Sequence, residues 1–315
     1  MSVTTEELQA RQDETTSGYH QSWFPLALAS DVPVGRAVGR DFLGTRIVVY
    51  RDASGRALVQ GAYCPHLGAD LSVGEVVEGQ IRCAYHHWRF DCAGTCVDIP
   101  AGDRIPPGAR IPTYPSAEAW GLIWAFNGEA PTFPVPGIPG AEERDLICET
   151  HFRGTRALDP WVSVSNGVDF QHLRTLHGLP AVAPDAVHVG THTIEYRIES
   201  PEFLQHGLIT GVNTFSQHLV LAGGETFMLF TGAPIRHGQS MGFYAFGVRD
   251  DGTGREGVAP RLDTLRGFVQ RLLAEDAPVL DTIRFRPGVL VASDRHLARF
   301  FKYVREFPRA VPPGA

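Results

Sequence analysis

The chain has 315 residues, 43% hydrophobic and 20% charged, with a formal net charge of −7. That is length enough for one large domain or two ordinary ones, and the acidic balance argues against nucleic acid or an anionic membrane as the main partner. No stretch is long and apolar enough to span a bilayer, and residues 1–20 lack the apolar core of an export signal, so a cytoplasmic protein with no membrane partner is expected.

In chain order, residues 1–20 read as a short helix (Thr5 to Arg11) and a linker. Residues 21–130 alternate short apolar runs with turn residues. Arg46–Tyr50, Ala57–Val59, Gln80–Cys83 and Gly121–Phe126 read as strands of a small all-β domain. The Pro-rich run 130–140 reads as an extended connector. In the remainder, 131–315, the pattern predicts a strand near 147–155, a helix over 160–177 and strands across 187–249. Helices follow over Pro260–Arg284 and Asp294–Phe307. Helices grouped around a sheet make an α+β fold.

The all-β part carries Cys64 and His66 in C-x-H spacing, then sixteen residues, then Cys83 and His86 in C-x-x-H spacing. Each pair follows a short strand, on a loop. Two thiolates and two imidazoles on paired loops suit a Rieske [2Fe–2S] centre, sulfurs on one iron and nitrogens on the other. Zinc also accepts Cys₂His₂, but these spacings, joined by strands and not by a finger helix, fit it poorly. His87 is one residue too far to ligate, and Trp88 reads as core packing beside the cluster. Gly68 and Gly74 are expected to let backbone approach the cluster. With five cysteines in all and no export signal, a disulfide scaffold is not expected. Cys92 and Cys96 read as free thiols and Cys148 as buried and structural.

The second constellation is Asn166, Asp169, His172 and His177. The first three are spaced by three residues and share one face of a regular helix. His177 falls off that face unless the helix distorts near Gly178 and Pro180. Two histidines and one carboxylate form the facial triad of non-haem Fe(II) oxygenases. Asp276 offers the carboxylate. It lies on the apolar stripe of Leu265, Val269, Leu272, Leu273, Leu280 and Ile283, where a charge is costly unless paired or metal-bound. Asp281 reads as solvent-facing, and Pro278 as a kink just after Asp276.

With these motifs the chain resembles the Rieske non-haem iron oxygenases, the ring-hydroxylating oxygenase α-subunit family, over nearly its whole length. Cys64, His66, Cys83 and His86 match the family's cluster ligands, and His172, His177 and Asp276 its mononuclear Fe(II) ligands. Asp169 matches the aspartate that bridges the two centres across a subunit boundary. Asn166 matches a polar neighbour of the iron. The length is similar to that of the α-only branch of monooxygenases, demethylases and ketosteroid hydroxylases, which are commonly homotrimers. The resemblance implies a helix-grip-like catalytic domain with a large antiparallel sheet.

It also implies the cofactors and partners: one [2Fe–2S] cluster and one mononuclear Fe(II) per chain, with O₂ as co-substrate. Electrons come from NADH through a ferredoxin, a reductase or both. The implied substrate is a small apolar aromatic or alicyclic molecule, to be hydroxylated or oxidatively demethylated. Phe203, Phe215, Phe227, Phe230, Phe243 and Phe246 supply the candidate pocket wall. Two rival readings are a cis-dioxygenase α-subunit with a separate β-subunit, and a Rieske electron carrier fused to a non-catalytic domain.

Overall fold

The computed structural model describes residues 18–179, 184, 187–201, 203–221, 224–286 and 288–313. The helix expected over Thr5–Arg11 lies outside the described residues, as does Pro180. The first part is all β. Strands Trp23–Leu28, Leu122–Phe126 and Ser116–Ala119 form one antiparallel sheet, and Val38–Phe42, Thr45–Arg51, Ala57–Gly61 and Thr113–Tyr114 a second. A third, of Glu75–Val77, Gln80–Arg82, Arg89–Phe90 and Cys96–Asp98, stands beside them. The unbroken apolar run in Thr45–Arg51 has a simple cause. Ile47 and Val49 point into the core shared with Trp23 and Trp124, while Val48 and Tyr50 point into a separate core with Cys64 and Cys83. A strand buried on both faces loses the polar alternation.

The second part is a seven-stranded antiparallel sheet. Its order is Leu146–Arg156, Gln239–Arg249, Gly224–Arg236, Thr214–Leu221, Phe203–Thr210, Thr193–Ser200 and His188–Val189. The helix Gly254–Leu280 lies along it, burying Val258, Leu262, Leu265 and Val269 against Leu219, Met228, Phe246 and Val248. The 4-3-4 spacing of those four residues puts them on one stripe. The helix starts six residues before Pro260 and stops at Leu280, four short of the expected end, and it continues through Pro278. Ile283, expected on the stripe, is exposed. The last helix, Arg295–Glu306, agrees with expectation to within a residue at each end.

The expected helix over 160–177 is not one helix. Pro160–Val164 is α-helical, Ser165–Val168 is a 3₁₀ turn, and Phe170–Thr175 is a second short α-helix. Asp169 sits between them at φ −91°, ψ 81°, outside helical geometry. Asn166, Asp169 and His172 therefore do not share one regular helix face. The break lets the 3₁₀ turn settle onto the sheet: a Cβ on Gly167 would meet the Phe215 ring at 2.6 Å.

The two parts share one core, running from Trp23, Trp120 and Phe126 to Phe227, Met241 and Phe243. Buried amides tie them further. Asn213 donates to the carbonyls of Trp23 (2.8 Å) and Gly232 (2.9 Å) and accepts from Ser22 Oγ (2.7 Å). The Pro-rich run is pinned by Trp23 Nε1 on the Phe133 carbonyl and Trp120 Nε1 on the Pro136 carbonyl, each at 2.8 Å.

The short strand Tyr19–His20 pairs with Arg309–Ala310, near the other end of the chain. His20 is buried there with its Nε2 3.1 Å from the Val304 carbonyl. Burial, helped by the nearby Arg309, lowers its pKa from 6.5 to about 3. Between those values the unfolded chain takes up a proton at this site that the folded chain refuses. The stabilising contribution is thus fully present above pH 6.5 and is lost progressively as pH falls toward 3. Urea unfolding midpoints of the wild type should fall more steeply with acidification than those of His20→Gln. Parallel pH profiles for the two would contradict this.

Candidate metal centres and active site

The two Cys/His loops are built alike. The Gly68 N–H donates to the Cys64 carbonyl at 2.8 Å, and the His87 N–H to the Cys83 carbonyl at 3.0 Å. Both closing residues adopt left-handed backbone, Gly68 at φ 77° and His87 at φ 59°. His87 is therefore the turn residue of its loop. Gly68 serves its backbone angle. Gly74 serves a close approach to the Arg82 carbonyl, 2.1 Å from where its Cβ would stand.

Cys64 and Cys83 are buried at 2% and 1% exposure, while His66 and His86 are exposed. The sulfurs sit side by side, and the imidazole centroids lie 4.5 Å apart. Trp88, half-buried, stacks on the His66 ring at 4.5 Å and 3°. Burial pushes the Cys64 thiol up to about 11, so a metal is needed to hold it as thiolate. Sulfurs inside and nitrogens outside is the partition a cluster with S₂ and N₂ ends requires. Cys92 is exposed and Cys96 buried, both free thiols. Cys148, expected buried, is half-buried, and it is also free.

His172, His177 and Asp276 converge. Their Nε2, Nε2 and Oδ1 atoms stand 2.9, 3.2 and 3.5 Å apart pairwise. Among the described residues this is the one group of three His, Cys or carboxylate donors mutually within 4.8 Å. Donors at right angles and about 2.1 Å from a single ion lie about 3 Å from one another. The tautomers follow from the outer nitrogens. His172 Nδ1 lies 3.0 Å from the main-chain carbonyl of Asp169, and His177 Nδ1 lies 2.7 Å from Glu275 Oε2. Each Nδ1 faces an acceptor and carries the proton, so both Nε2 lone pairs point at the carboxylate oxygen. Three lone pairs aimed at one point repel unless a cation sits among them. The residues fit a divalent metal.

Several supports around this trio depart from the sequence expectation. Burial would raise the Asp276 carboxyl; with no metal bound, a proton shared onto the histidine Nε2 atoms outweighs it and holds the group below its ordinary range, and a divalent ion would take that proton's place. Asn166 Nδ2 donates to Asp276 Oδ1 at 3.3 Å, so it positions the carboxylate. Within this chain, Asp169 reaches His172 through its carbonyl. Its carboxylate accepts the His172 main-chain N–H at 3.0 Å, capping the short helix, instead of meeting the ring. His177 arrives because the helix ends at Thr175, with Gly178 following at φ 64°. Asp281 is exposed and pairs with Arg156, as its solvent-facing reading requires. Glu275 stands in the acidic run Ala274–Asp276, which resembles the family's at its third ligand, but its hold on the His177 ring is not evident from the sequence. The i,i+4 pair Arg271–Glu275 (3.1 Å), one residue before Asp276, was the available signal.

The trio opens onto a cavity walled by Val164, Leu173, Phe215, Leu219, Phe230 and Phe243. Three of the six candidate phenylalanines thus line it. Phe203 and Phe246 pack under the long helix, and Phe227 lies in the shared core. The wall also holds Gln205, Gln217 and Arg153, so it is less uniformly apolar than expected.

Losing a carboxylate that holds the outer nitrogen of a ligating imidazole typically weakens metal affinity 10–100-fold. Glu275→Ala should therefore lower Fe(II) affinity within that range in equilibrium dialysis, with the visible spectrum of the cluster unchanged. Unaltered affinity would show that Glu275 does not orient His177.

Comparison with known proteins bears on both halves. A family profile described as the Rieske [2Fe-2S] domain matches residues 22–115, which include Cys64, His66, Cys83 and His86. Aminopyrrolnitrin oxygenase PrnD of Pseudomonas fluorescens is 34% identical over 179 residues, 54% of this chain and 49% of that protein. Cholesterol 7-desaturase nvd of Bombyx mori is 36% identical over 50% of this chain and 36% of its own length. The oxygenase component of 3-ketosteroid-9-alpha-monooxygenase from Rhodococcus rhodochrous is 36% identical over 40% of this chain and 32% of that one. The matches thus span about a third to a half of these relatives. In fold, the structure of Pseudomonas putida CBB5 NdmA QL mutant with theobromine matches at TM-score 0.77 and 19% identity, over 94% of this chain and 92% of that one. Dicamba monooxygenase bound to dicamba matches at 0.70 and 21%, over 91% and 97%. No helix of the described residues is long and apolar enough to cross a membrane. Residues 22–115 thus form a Rieske [2Fe-2S] domain, and the α+β fold of the chain as a whole is that of these solved structures.

Proposed function

We propose that this chain is the terminal oxygenase of a Rieske monooxygenase system, hydroxylating or oxidatively demethylating a small ring compound. The reading assigns a Rieske domain to 21–130 and a catalytic domain to 131–315. Cys64, His66, Cys83 and His86 hold one [2Fe–2S] cluster, and His172, His177 and Asp276 hold one Fe(II). The observation that carries it is the convergence of two Nε2 atoms and a carboxylate oxygen at the wall of a cavity lined by Phe215, Phe230 and Phe243. A fused electron carrier has no use for that arrangement.

When bound, the cluster supplies single electrons and the iron supplies reductive activation of O₂. The chain's own residues do the rest. The Asp169 carbonyl and Glu275 hold the two imidazoles in the tautomer that presents Nε2. Asn166 holds Asp276. Phe215, Phe230 and Val164 bind the apolar body of the substrate and keep water from the reacting carbon. A ferredoxin or reductase carries NADH electrons to the cluster.

The deciding experiment supplies a generic reductase, NADH and ¹⁸O₂ to the holoprotein with a panel of aromatic, steroid and N- or O-methyl compounds. One labelled atom in product or released formaldehyde, and one in water, is expected. Two labelled atoms in one product would make the chain a dioxygenase. Oxygen uptake without a labelled product from any compound would count against the oxygenase reading.

The assembly expected is a homotrimer in which one chain's cluster serves its neighbour's iron. Asp169 Oδ1 caps its helix, and Oδ2 has no hydrogen-bond partner among the described residues, so it is free for His86 of an adjacent copy. Asparagine is as good a cap as aspartate. Asp169→Asn should therefore keep the fold, both metals and the trimer, yet slow turnover at least tenfold, about 1.4 kcal/mol of barrier. Single-turnover kinetics should locate the loss in cluster-to-iron electron transfer. Wild-type transfer in that variant would refute the bridge.

A further inference from the structure

Arg153 and Arg156 are the charged residues of the cavity that the proposed chemistry leaves unused, and of the two Arg156 is paired with Asp281. Arg153 lies on the edge strand Leu146–Arg156, where pairing with Gln239–Arg249 slips. Phe152 faces Phe243, Gly154 faces Gly242, and Arg153 has no partner in the register. Gly154 follows at φ 100°, a backbone angle that favours glycine. This is a β-bulge, the device by which a strand re-aims a side chain. The stem of Arg153 then crosses Gly242, where a Cβ would stand 3.5 Å from the Arg153 Cβ and 3.7 Å from its Cδ. Its side chain joins the wall of the cavity that contains His172, His177 and Asp276.

The guanidinium is unmatched there. Its Nη2 is buried and has no hydrogen-bond partner among the described residues, and none of its other nitrogens makes a hydrogen bond among them. The nearby charges are otherwise committed. Arg156 pairs with Asp281, and Asp276 Oδ1 accepts from Asn166 and faces the Nε2 atoms of His172 and His177. Burial, and then Arg156, push the Arg153 pKa down to about 10, which still leaves it cationic at neutral pH. A buried donor fork without an acceptor is a costly arrangement that proteins keep where a partner arrives from outside. Gln205 adds a second polar mark on the same wall. It donates to Gln217 at 2.7 Å, while its own Oε1 is buried without a partner.

We propose that Arg153 is a specificity residue that binds a carboxylate of the substrate, the ring lying against Phe215 and Phe230 and facing the metal trio. This deepens the oxygenase reading, and rests on it for the word substrate. It changes the expected substrate from a wholly apolar molecule to an amphiphilic one, an aromatic or alicyclic acid. A guanidinium fork and a carboxylate match in planar two-point geometry, and the partly closed cavity makes such a contact stronger than it would be in water.

The test measures binding apart from turnover. Isothermal titration of the holoprotein would compare 4-methoxybenzoate and cyclohexanecarboxylate with their primary amides, of nearly equal shape and no charge. We expect each acid to bind at least tenfold tighter than its amide. Arg153→Gln should erase that difference and leave amide affinity within about twofold, and Arg153→Lys should restore part of it. Arg153→Met should melt no lower than wild type, since it removes an unmatched buried charge. Acids binding no tighter than amides, neither binding at all, a preference surviving in Arg153→Gln, or a large loss of thermal stability in Arg153→Met would each overturn the proposal. Failure of the oxygenase reading looks different: acids would bind through Arg153 while ¹⁸O₂ gave no labelled product. Labelled product from neutral substrates without any acid preference would sink Arg153 alone.

Discussion

Three lone pairs pointed at one place are the constraint around which the catalytic half is arranged. Two imidazole nitrogens and a carboxylate oxygen, 2.9 to 3.5 Å apart, are unfavourable neighbours in an empty site and favourable ones around a cation. Holding them there takes elements from distant parts of the chain. His172 comes from a helix that is capped by Asp169, and His177 from the turn just after that helix stops at Thr175. Asp276 and Glu275 come from one turn of the long helix, whose stripe of Val258, Leu262, Leu265 and Val269 fixes it on the sheet. Gly167 lets the intervening turn rest on Phe215, so the cavity wall and the ligand helix are positioned by the same contact.

The cluster loops follow a different logic, in which burial is divided along the site. The sulfurs belong to the core of Val48, Leu58, Leu71 and Phe90, and the imidazoles stand at the surface. In the proposed reading the buried sulfur side seats the electron and the exposed histidine side faces the neighbour that receives it. The stacking of Trp88 on His66 fixes one of those rings in place. The buried amides of Asn213 and Asn127 and the shared core between the two halves hold this tip at a set distance from its own chain's metal trio.

Much of this was legible because the chemistry requires particular residue types at particular spacings. C-x-H and C-x-x-H, and a histidine pair with an aspartate on a buried stripe, can be read from residues alone. The sheet strands were legible for a similar reason, since apolar runs and turn residues mark them to within a few positions. The broken helix over 160–175 was not legible. Its spacing is helical, and the break goes with a close approach of Gly167 to Phe215, on a strand about fifty residues away in the chain. Glu275 was hidden by looking like an ordinary surface i,i+4 partner of Arg271. Arg153 was hidden more deeply. A bulge is a property of the pairing between two strands, and a single charged residue in a strand pattern reads as solvent-facing. The choice among six phenylalanines depended likewise on which side of the sheet each element covers.

The most direct test of the central claim is an anaerobic Fe(II) titration of protein whose cluster is intact and whose other iron has been removed by a chelator. Converging lone pairs predict one saturable Fe(II) site per chain, lost in His172→Ala, His177→Ala and Asp276→Ala while the cluster's visible and EPR signatures persist in each. A wild-type protein that takes up no Fe(II), or an Asp276→Ala variant that binds it as tightly as wild type, would contradict it.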